Sequence, residues 1–413
     1  MHVLVISQYF WPEDFRINEL VSAFCGRGHD VTVLTGKPNY PEGSVFPEFM
    51  EHPEKFAEYA GARIIRVPMF ARGAGSLRIL LNYSSFAVSS CFFATKALGD
   101  RPIDAIFVFE PSPVTVGLPA VWLRCRCGAP IVFWVLDQWP ESLEAVGVVT
   151  SKRLLSYVGA LVKFIYRRCD LVLSPSRSLM PRIAEYCAAN QRIEYFPNWI
   201  ESTYRSVSAE PAHEVPPKPG SFSVMFAGNI GEAQDFPSIL DAAERLKHRD
   251  DIRWLIVGDG RMAPWVRAEI ARRGLTGRVL MLGRFPVERM PSFFHHADAL
   301  LVSLKADPVF AMTAPGKIQS YLAYGRPILA MLDGEGARII RDARAGFTSP
   351  AGDSAGLAVN AARLADMPAE ERASMGVNGV AFAKKEFDRE VLFDRLESWL
   401  FEVADSSAVA ASR

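Results

Sequence analysis

Short, nearly unbroken apolar runs alternate along this chain with longer stretches whose apolar positions recur every three or four residues. That alternation predicts parallel strands wrapped by helices, an α/β class. Residues 2–7 (HVLVIS) and 30–35 (DVTVLT) read as buried strands, and residues 18–27 between them read as a helix with Leu20 and Phe24 on one face. Gly28 is expected to end that helix, since glycine tolerates the left-handed backbone found just past a helix end. Further strands are expected at 63–67, 105–109, 131–136, 171–174 and 193–196.

The pattern lapses over residues 206–221 (SVSAEPAHEVPPKPGS), where four prolines and few apolar residues predict a linker. It restarts at 222–228, 252–260, 278–283, 299–304 and 327–332, which predicts a second doubly wound sheet. Residues 368–403 read as helical throughout, with an amphipathic 391–401 segment expected to pack back on the first domain. The division expected is therefore 1–205, linker 206–221, 222–385, and a C-terminal helix and tail at 386–413. In open α/β sheets ligands sit beyond the carboxyl ends of the strands, so the loops there are the candidates.

Residues 313–330 (TAPGKIQSYLAYGRPILA) combine a Pro-Gly loop, a helix start and a lysine. Unpaired amides and the positive end of the helix dipole favour an anion there, with Gly316 allowing close approach and Lys317 adding charge. A βα loop that merely caps its helix would look the same. Three further strand ends carry glycines: Gly228-Asn229-Ile230-Gly231-Glu232-Ala233-Gln234, Gly258-Asp259-Gly260-Arg261 and Gly283-Arg284-Phe285. Arg261, Arg284, Lys305 and Lys317 are the cations available among them. In the first half, Asp137-Gln138-Trp139-Pro140-Glu141 follows an apolar strand, and a carboxylate so placed can act as a base or steady positive charge. Asp137 is the first candidate and Glu141 the second, with Glu110 a third strand-end carboxylate; turn capping explains Asp137 equally simply.

Six stretches taken together resemble one family: 9–21 (YFWPEDFRINELV), 27–43, 135–143 (VLDQWPESL), 226–236 (FAGNIGEAQDF), 255–260 (LIVGDG) and 314–330. In this order they are similar to the family-4 glycosyltransferases of the GT-B fold, and within it to bacterial surface-polysaccharide members of the WbuB-like kind. The resemblance implies two Rossmann-like domains facing a cleft and retaining transfer of a sugar from a nucleotide-diphosphate donor without a metal. It implies a donor bound by the second domain and an acceptor by the first. On the donor side it points to Gly228, Asn229, Gly231, Gln234, Gly258, Gly260, Arg284, Lys305, Gly316, Lys317, Ile318, Gln319 and Ser320. On the acceptor side it points to Arg16, Asn18, Asn39, Tyr40 and Trp139. It also suggests a UDP-linked donor, with an N-acetylated amino-deoxy sugar as first choice, and a lipid-linked or oligosaccharide acceptor.

The chain departs from the family where charge matters most. Met312 and Ser320 occupy the places of two usual glutamates, and Asn229 and Gln234 those of a diphosphate-neutralising Arg and Lys. Lys317, with Arg284 or Lys305, is expected to supply the missing charge, and Gln319 or Ser320 weaker contacts to a ribose. Phe15-Arg16-Ile17 replaces a usual Gly-Gly pair, which shifts any contact there to side chains such as Arg16. Two alternatives stay open: a non-hydrolysing sugar-nucleotide epimerase, and a subunit that binds nucleotide sugar without turning it over. A dinucleotide dehydrogenase is disfavoured, because no GxGxxG follows a strand with an acid about twenty positions on.

Composition narrows the partners. Lys+Arg and Asp+Glu both number 46 in 413 residues, so no excess charge points to nucleic acid. No CxxC pair or His cluster has zinc spacing, so neither metal nor cofactor is expected beyond the nucleotide sugar. The six cysteines read as reduced thiols of a cytoplasmic protein, and the N-terminus reads as a strand and not a signal peptide. Trp11, Phe70, Leu77, Leu80, Leu81, Tyr83, Phe86, Phe92 and Phe93, near Arg63, Arg66, Arg72 and Arg78, suggest peripheral contact with the cytoplasmic face of an inner membrane. Residues 163–168 (KFIYRR) add a second basic segment.

Overall fold

A computed structural model describes all residues except 42, 74, 100, 146–150, 201–209 and 412–413, and leaves aside the side chains of 76, 77, 145, 410 and 411. The chain divides into two compact units: Met1–Pro175 with Leu179–Phe196 and Phe393–Arg413, and Ser176–Ser178 with Pro197–Leu392.

The first unit runs β1 (His2–Ile6), α1 (Arg16–Gly26), β2 (Asp30–Thr35), α2 (Pro47–Glu51), β3 (Glu58–Tyr59), β4 (Ala62–Arg66), α3 (Ser76–Leu98) and β5 (Ala105–Glu110). It continues with α4 (Gly117–Cys127), β6 (Ile131–Val135), α5 (Glu141–Ala145), α6 (Lys152–Tyr166), β7 (Leu171–Ser174), α7 (Met180–Tyr186) and β8 (Arg192–Tyr195). Its strands lie in the order β3-β4-β2-β1-β5-β6-β7-β8, parallel except for β3 against β4. Every residue of β1, β5 and β6 is buried, as strands covered on both faces must be. Gly28 ends α1 as expected, at φ +86°.

The second unit contains β9 (Phe222–Ala227), α8 (Phe236–Arg245), β10 (Ile252–Val257), α9 (Ala263–Arg272), β11 (Val279–Gly283), α10 (Met290–Phe294) and β12 (Ala299–Ser303). It goes on through α11 (Pro308–Ala311), α12 (Gly316–Tyr324), β13 (Ile328–Met331), α13 (Gly334–Asp342), β14 (Gly346–Ser349), α14 (Ser354–Asp366) and α15 (Ala369–Glu386). Its sheet is all parallel, β11-β10-β9-β12-β13-β14. The edge strand β14 reads GFTS and is only half-buried, so no apolar run announced it. Ala212 and Val215, from the polar passage between the sheets, are buried in this unit's core.

The C-terminal helical stretch is broken in two. Asp388 accepts from the amides of Glu390 (2.9 Å) and Val391 (3.2 Å), which starts the separate helix α16 (Arg389–Ala411). From Phe393 onward α16 belongs to the first unit, where Glu397 bonds Arg27 (2.9 Å) and His29 (2.6 Å) and Phe393 meets Phe24 edge-on.

Candidate functional site

In the second unit the loops after β9 and β10 cross at backbone distance. Gly228 donates to Val257 O (2.8 Å) and Gly258 donates to Gly283 O (2.7 Å). Gly258 sits at φ +146°, and a Cβ there would fall 1.9 Å from the carbonyl oxygen of Gly228. Gly258→Ala therefore combines left-sided backbone strain with overpacking and is expected to destabilise the protein by about 3 kcal/mol or more. Urea unfolding would read this, and an unchanged midpoint would contradict it.

Beside these loops stands α12. Its residue Tyr321 accepts from the Ala227 amide (3.1 Å) and donates to the Ala227 carbonyl (3.3 Å), which ties the helix to the end of β9. Lys317, in the first turn of α12, is laid across Gly228, where a Cβ would approach its Cε to 2.6 Å. Its ammonium lies 3.6 Å from the centre of the Phe226 ring. Burial pushes its pKa down to about 7, with no opposing charge contributing. An aromatic face is thus the lysine's main electrostatic partner, a weak substitute for an anion.

Lys317 lines a cavity of about 840 Å³ with Gly228, Arg284, Gly316 and Ser320 on one side and Phe285, Pro286, Val287, Met290 and Phe294 as an apolar flank. An adjoining space of about 450 Å³ is lined by Gly228, Asn229, Gly258, Asp259, Gly260 and Arg284. Eight of the donor-side candidates, Gly228, Asn229, Gly258, Gly260, Arg284, Gly316, Lys317 and Ser320, therefore line these two neighbouring spaces, which share Gly228, Arg284, Phe285 and Met290. Asp259 is the one carboxylate in either lining.

The other five candidates lie elsewhere. Ile318 is buried in the core. Gln319 is buried too, and the amide orientation that satisfies its surroundings donates to Gly316 O (2.9 Å) and Pro315 O (3.0 Å), bracing the helix start. Gln234 accepts from the Gly231 amide (3.1 Å) and, through its carbonyl, from Ser303 (2.7 Å), so both residues hold their own loop. Lys305 is exposed outside both linings, its amide bonded to Ala233 O (2.9 Å). The apolar flank was invisible in sequence apart from Phe285, because Met290 and Phe294 reach it only through the packing of α10.

In the first unit Asp137 follows β6. Its Oδ2 accepts from Trp139 Nε1 (3.0 Å), and its amide donates to Glu110 Oε2 (3.3 Å). Glu110 is fully buried, and burial first, then the nearby Asp137, raises its pKa well above the ordinary carboxylate range. Glu141 accepts from Tyr186 (3.1 Å), whose pKa is pushed up to about 12 by burial and by Glu141. Trp139 is buried beside Tyr83, ring centres 6.1 Å apart.

The remaining acceptor-side candidates are mostly framework. Asn18 accepts from Trp11 N (3.2 Å) and donates to Glu13 O (2.7 Å), while Asn39, fully buried, accepts from Arg72 N (2.8 Å). Glu13, which lies in the 9–21 motif but was not among the candidate site residues, organises both loops by accepting from the amides of Phe10, Asn39 and Tyr40. Tyr40 packs with Tyr9 and Phe15, the ring standing where a small residue was expected. Arg16, part-exposed, opens α1.

Residues 15–199 match the family described as glycosyl transferase 4-like domain, and residues 221–367 match glycosyl transferases group 1. WcaI of Escherichia coli K12, named for glycosyl transfer in colanic acid biosynthesis, is 26% identical over 342 residues, covering 79% of this chain and 82% of its own. Among solved structures, HepE of Anabaena, crystallised with UDP and glucose, superposes with TM-score 0.64 at 15% identity over 96% of this chain and 98% of its own. The trehalose 6-phosphate synthase of Burkholderia multivorans gives TM-score 0.72 at 14% identity over 99% and 98%.

Proposed function

Since the chain belongs to the family-4 glycosyltransferases of the GT-B fold, we propose that it moves a sugar from a UDP-linked donor, with retention and without a metal, to a lipid-linked or oligosaccharide acceptor of a surface polysaccharide. The observation that carries this reading is Lys317: a partly buried lysine faces a cavity at a helix start, and among the described residues the Phe226 ring is the group that stabilises its charge. A donor diphosphate is the anion that geometry fits. Arg284 shares the same wall and adds a second charge. The apolar flank from Phe285 to Phe294 suits a base, and Asp259 offers the carboxylate for ribose hydroxyls that Ser320 cannot supply.

The name of WcaI supports the polysaccharide, and the UDP bound by HepE supports the nucleotide. The N-acetylated amino-deoxy sugar rests on the WbuB-like resemblance. A lipid-linked acceptor places the enzyme at the cytoplasmic face of a membrane, in peripheral contact. Asp137 is the residue assigned to the reacting centre, with Glu141 positioned by Tyr186.

Thermal unfolding with nucleoside diphosphates tests the donor. UDP at a hundred times its Kd should stabilise by about 2.7 kcal/mol and raise the Tm, with ADP and GDP giving less. Equal shifts from all three would reject uridine, and no shift would reject the site. The absent glutamates at Met312 and Ser320 favour one rival, a nucleotide-binding subunit without turnover, which would show the UDP shift and release no UDP from any UDP-sugar.

A further inference from the structure

Right-handed crossovers place α3, α4 and α6 on one face of the first unit's sheet. They lie side by side, α3 against α4 and α4 against α6. Each helix buries one stripe and exposes large apolar side chains on the other. On α3 the buried stripe is Tyr83, Phe86, Ala87, Ser90 and Ala94, while Leu81, Val88 and Phe92 stand outside, Phe92 at 72% exposure. Trp122 of α4 and Leu154, Tyr157 and Phe164 of α6 extend the outer surface, Tyr157 at 74%. Patches of this kind mark interaction sites.

Charge selects the occupant. None of these three helices contains an Asp or Glu, although the chain has 46. They carry Arg78, Lys96, Arg124, Arg126, Lys152, Arg153 and Lys163, with Arg167 and Arg168 just beyond α6. Among the described residues only Arg124 is paired with an acid, Asp170; Arg126 lies over the Trp122 ring and Arg168 over the Phe164 ring, so cation and apolar surface are interleaved. At the edge of the layer α7 has one acid, Glu185, paired with Arg182 (3.0 Å). The chain's neutral balance therefore hides a one-signed face. No described helix is long and apolar enough to cross a membrane.

We propose that the outer face of α3, α4 and α6 is a docking surface for an anionic lipid membrane. Exposed rings and aliphatic chains enter the headgroup boundary while the cations meet lipid phosphates, the combination that holds interfacial helices. A nucleic acid would meet the same cations but would leave the aliphatic stripe of α3 in water. The membrane is the one a lipid-linked acceptor requires, and the proposal rests on the functional reading only for that link.

Flotation of the full chain tests it, with vesicles of phosphatidylcholine alone and of phosphatidylcholine mixed with phosphatidylglycerol. The protein should float with the anionic vesicles, lose binding as salt rises, and lose about fivefold in partitioning for each cation removed. Phe92→Ser with Tyr157→Ser, and Arg153→Glu with Lys163→Glu, should each abolish most flotation, whereas Arg267→Glu on α9 should not. Absence of binding to either vesicle, or binding untouched by both pairs, overturns the proposal. So does a dimer in sedimentation that the same pairs dissolve, which would assign the face to a second copy. The UDP shift, read on the same variants, keeps the two ideas apart: flotation lost with the shift intact in the parent protein rejects only the surface, and the reverse rejects only the donor site.

Discussion

Lys317→Met is expected to raise the Tm of the ligand-free protein and, at the same time, weaken UDP binding by about ten- to a hundredfold, the worth of a hydrogen bond to a charged group. The opposite signs follow from one cause. Burial holds Lys317 near pKa 7 in the folded protein, against an ordinary 10.5. Between those values the unfolded chain binds more protons than the native one, so stability rises with pH across the window from 7 to 10.5. A lysine kept there is a cost that a bound diphosphate would offset.

The same linkage gives binding a pH profile. A bound diphosphate supplies the anion that favours the charged form, so above pH 7 binding takes up a proton. Affinity should fall by up to about tenfold per unit between pH 7 and 9. Calorimetry in buffers of different ionisation enthalpy would read close to one proton taken up at pH 8 in the parent and none in Lys317→Met. A substituted protein that binds UDP as tightly as the parent would remove Lys317 from the site.

For Asp137→Asn, kcat should fall by about a hundred- to ten-thousandfold, as expected when a group acting on a proton or a developing charge is lost. The asparagine oxygen can still accept from Trp139 Nε1, and the amide that bonds Glu110 is main chain, so the loop keeps its shape. Donor affinity should therefore stay level while turnover collapses. Initial rates of UDP release, set beside UDP titrations, separate the two quantities. A kcat within threefold of the parent would reduce Asp137 to the turn-capping role that its position also allows.

The strands were readable because both sheets are parallel and covered on two faces, which demands continuous apolar runs such as HVLVI, AIFVFE and IRWLIV. β3 and β14 escaped because edge strands keep one side wet and so may be short or polar. The donor-side loops were readable as glycines at strand ends. Their roles were not: Gly258 is required by the carbonyl of Gly228, and Gln319, a candidate for the ribose, serves its own helix.

The basic, apolar region shows the boundary most clearly. Residues near one another in sequence suggested a single membrane face, yet Tyr83 and Phe86 are core, Arg66 is turned onto the carbonyls of Gly36 and Trp11, and Leu77 lies outside the described side chains. The surface is assembled instead from three helices up to 90 residues apart, because crossover handedness lays them side by side. By itself the sequence determined what periodicity and backbone freedom control: two parallel sheets, the helix ends and the glycine loops. Only the tertiary structure decided which charges are neutralised, which are stranded beside a ring as Lys317 is, and which gather on one face, because charge acts through distances that folding alone sets.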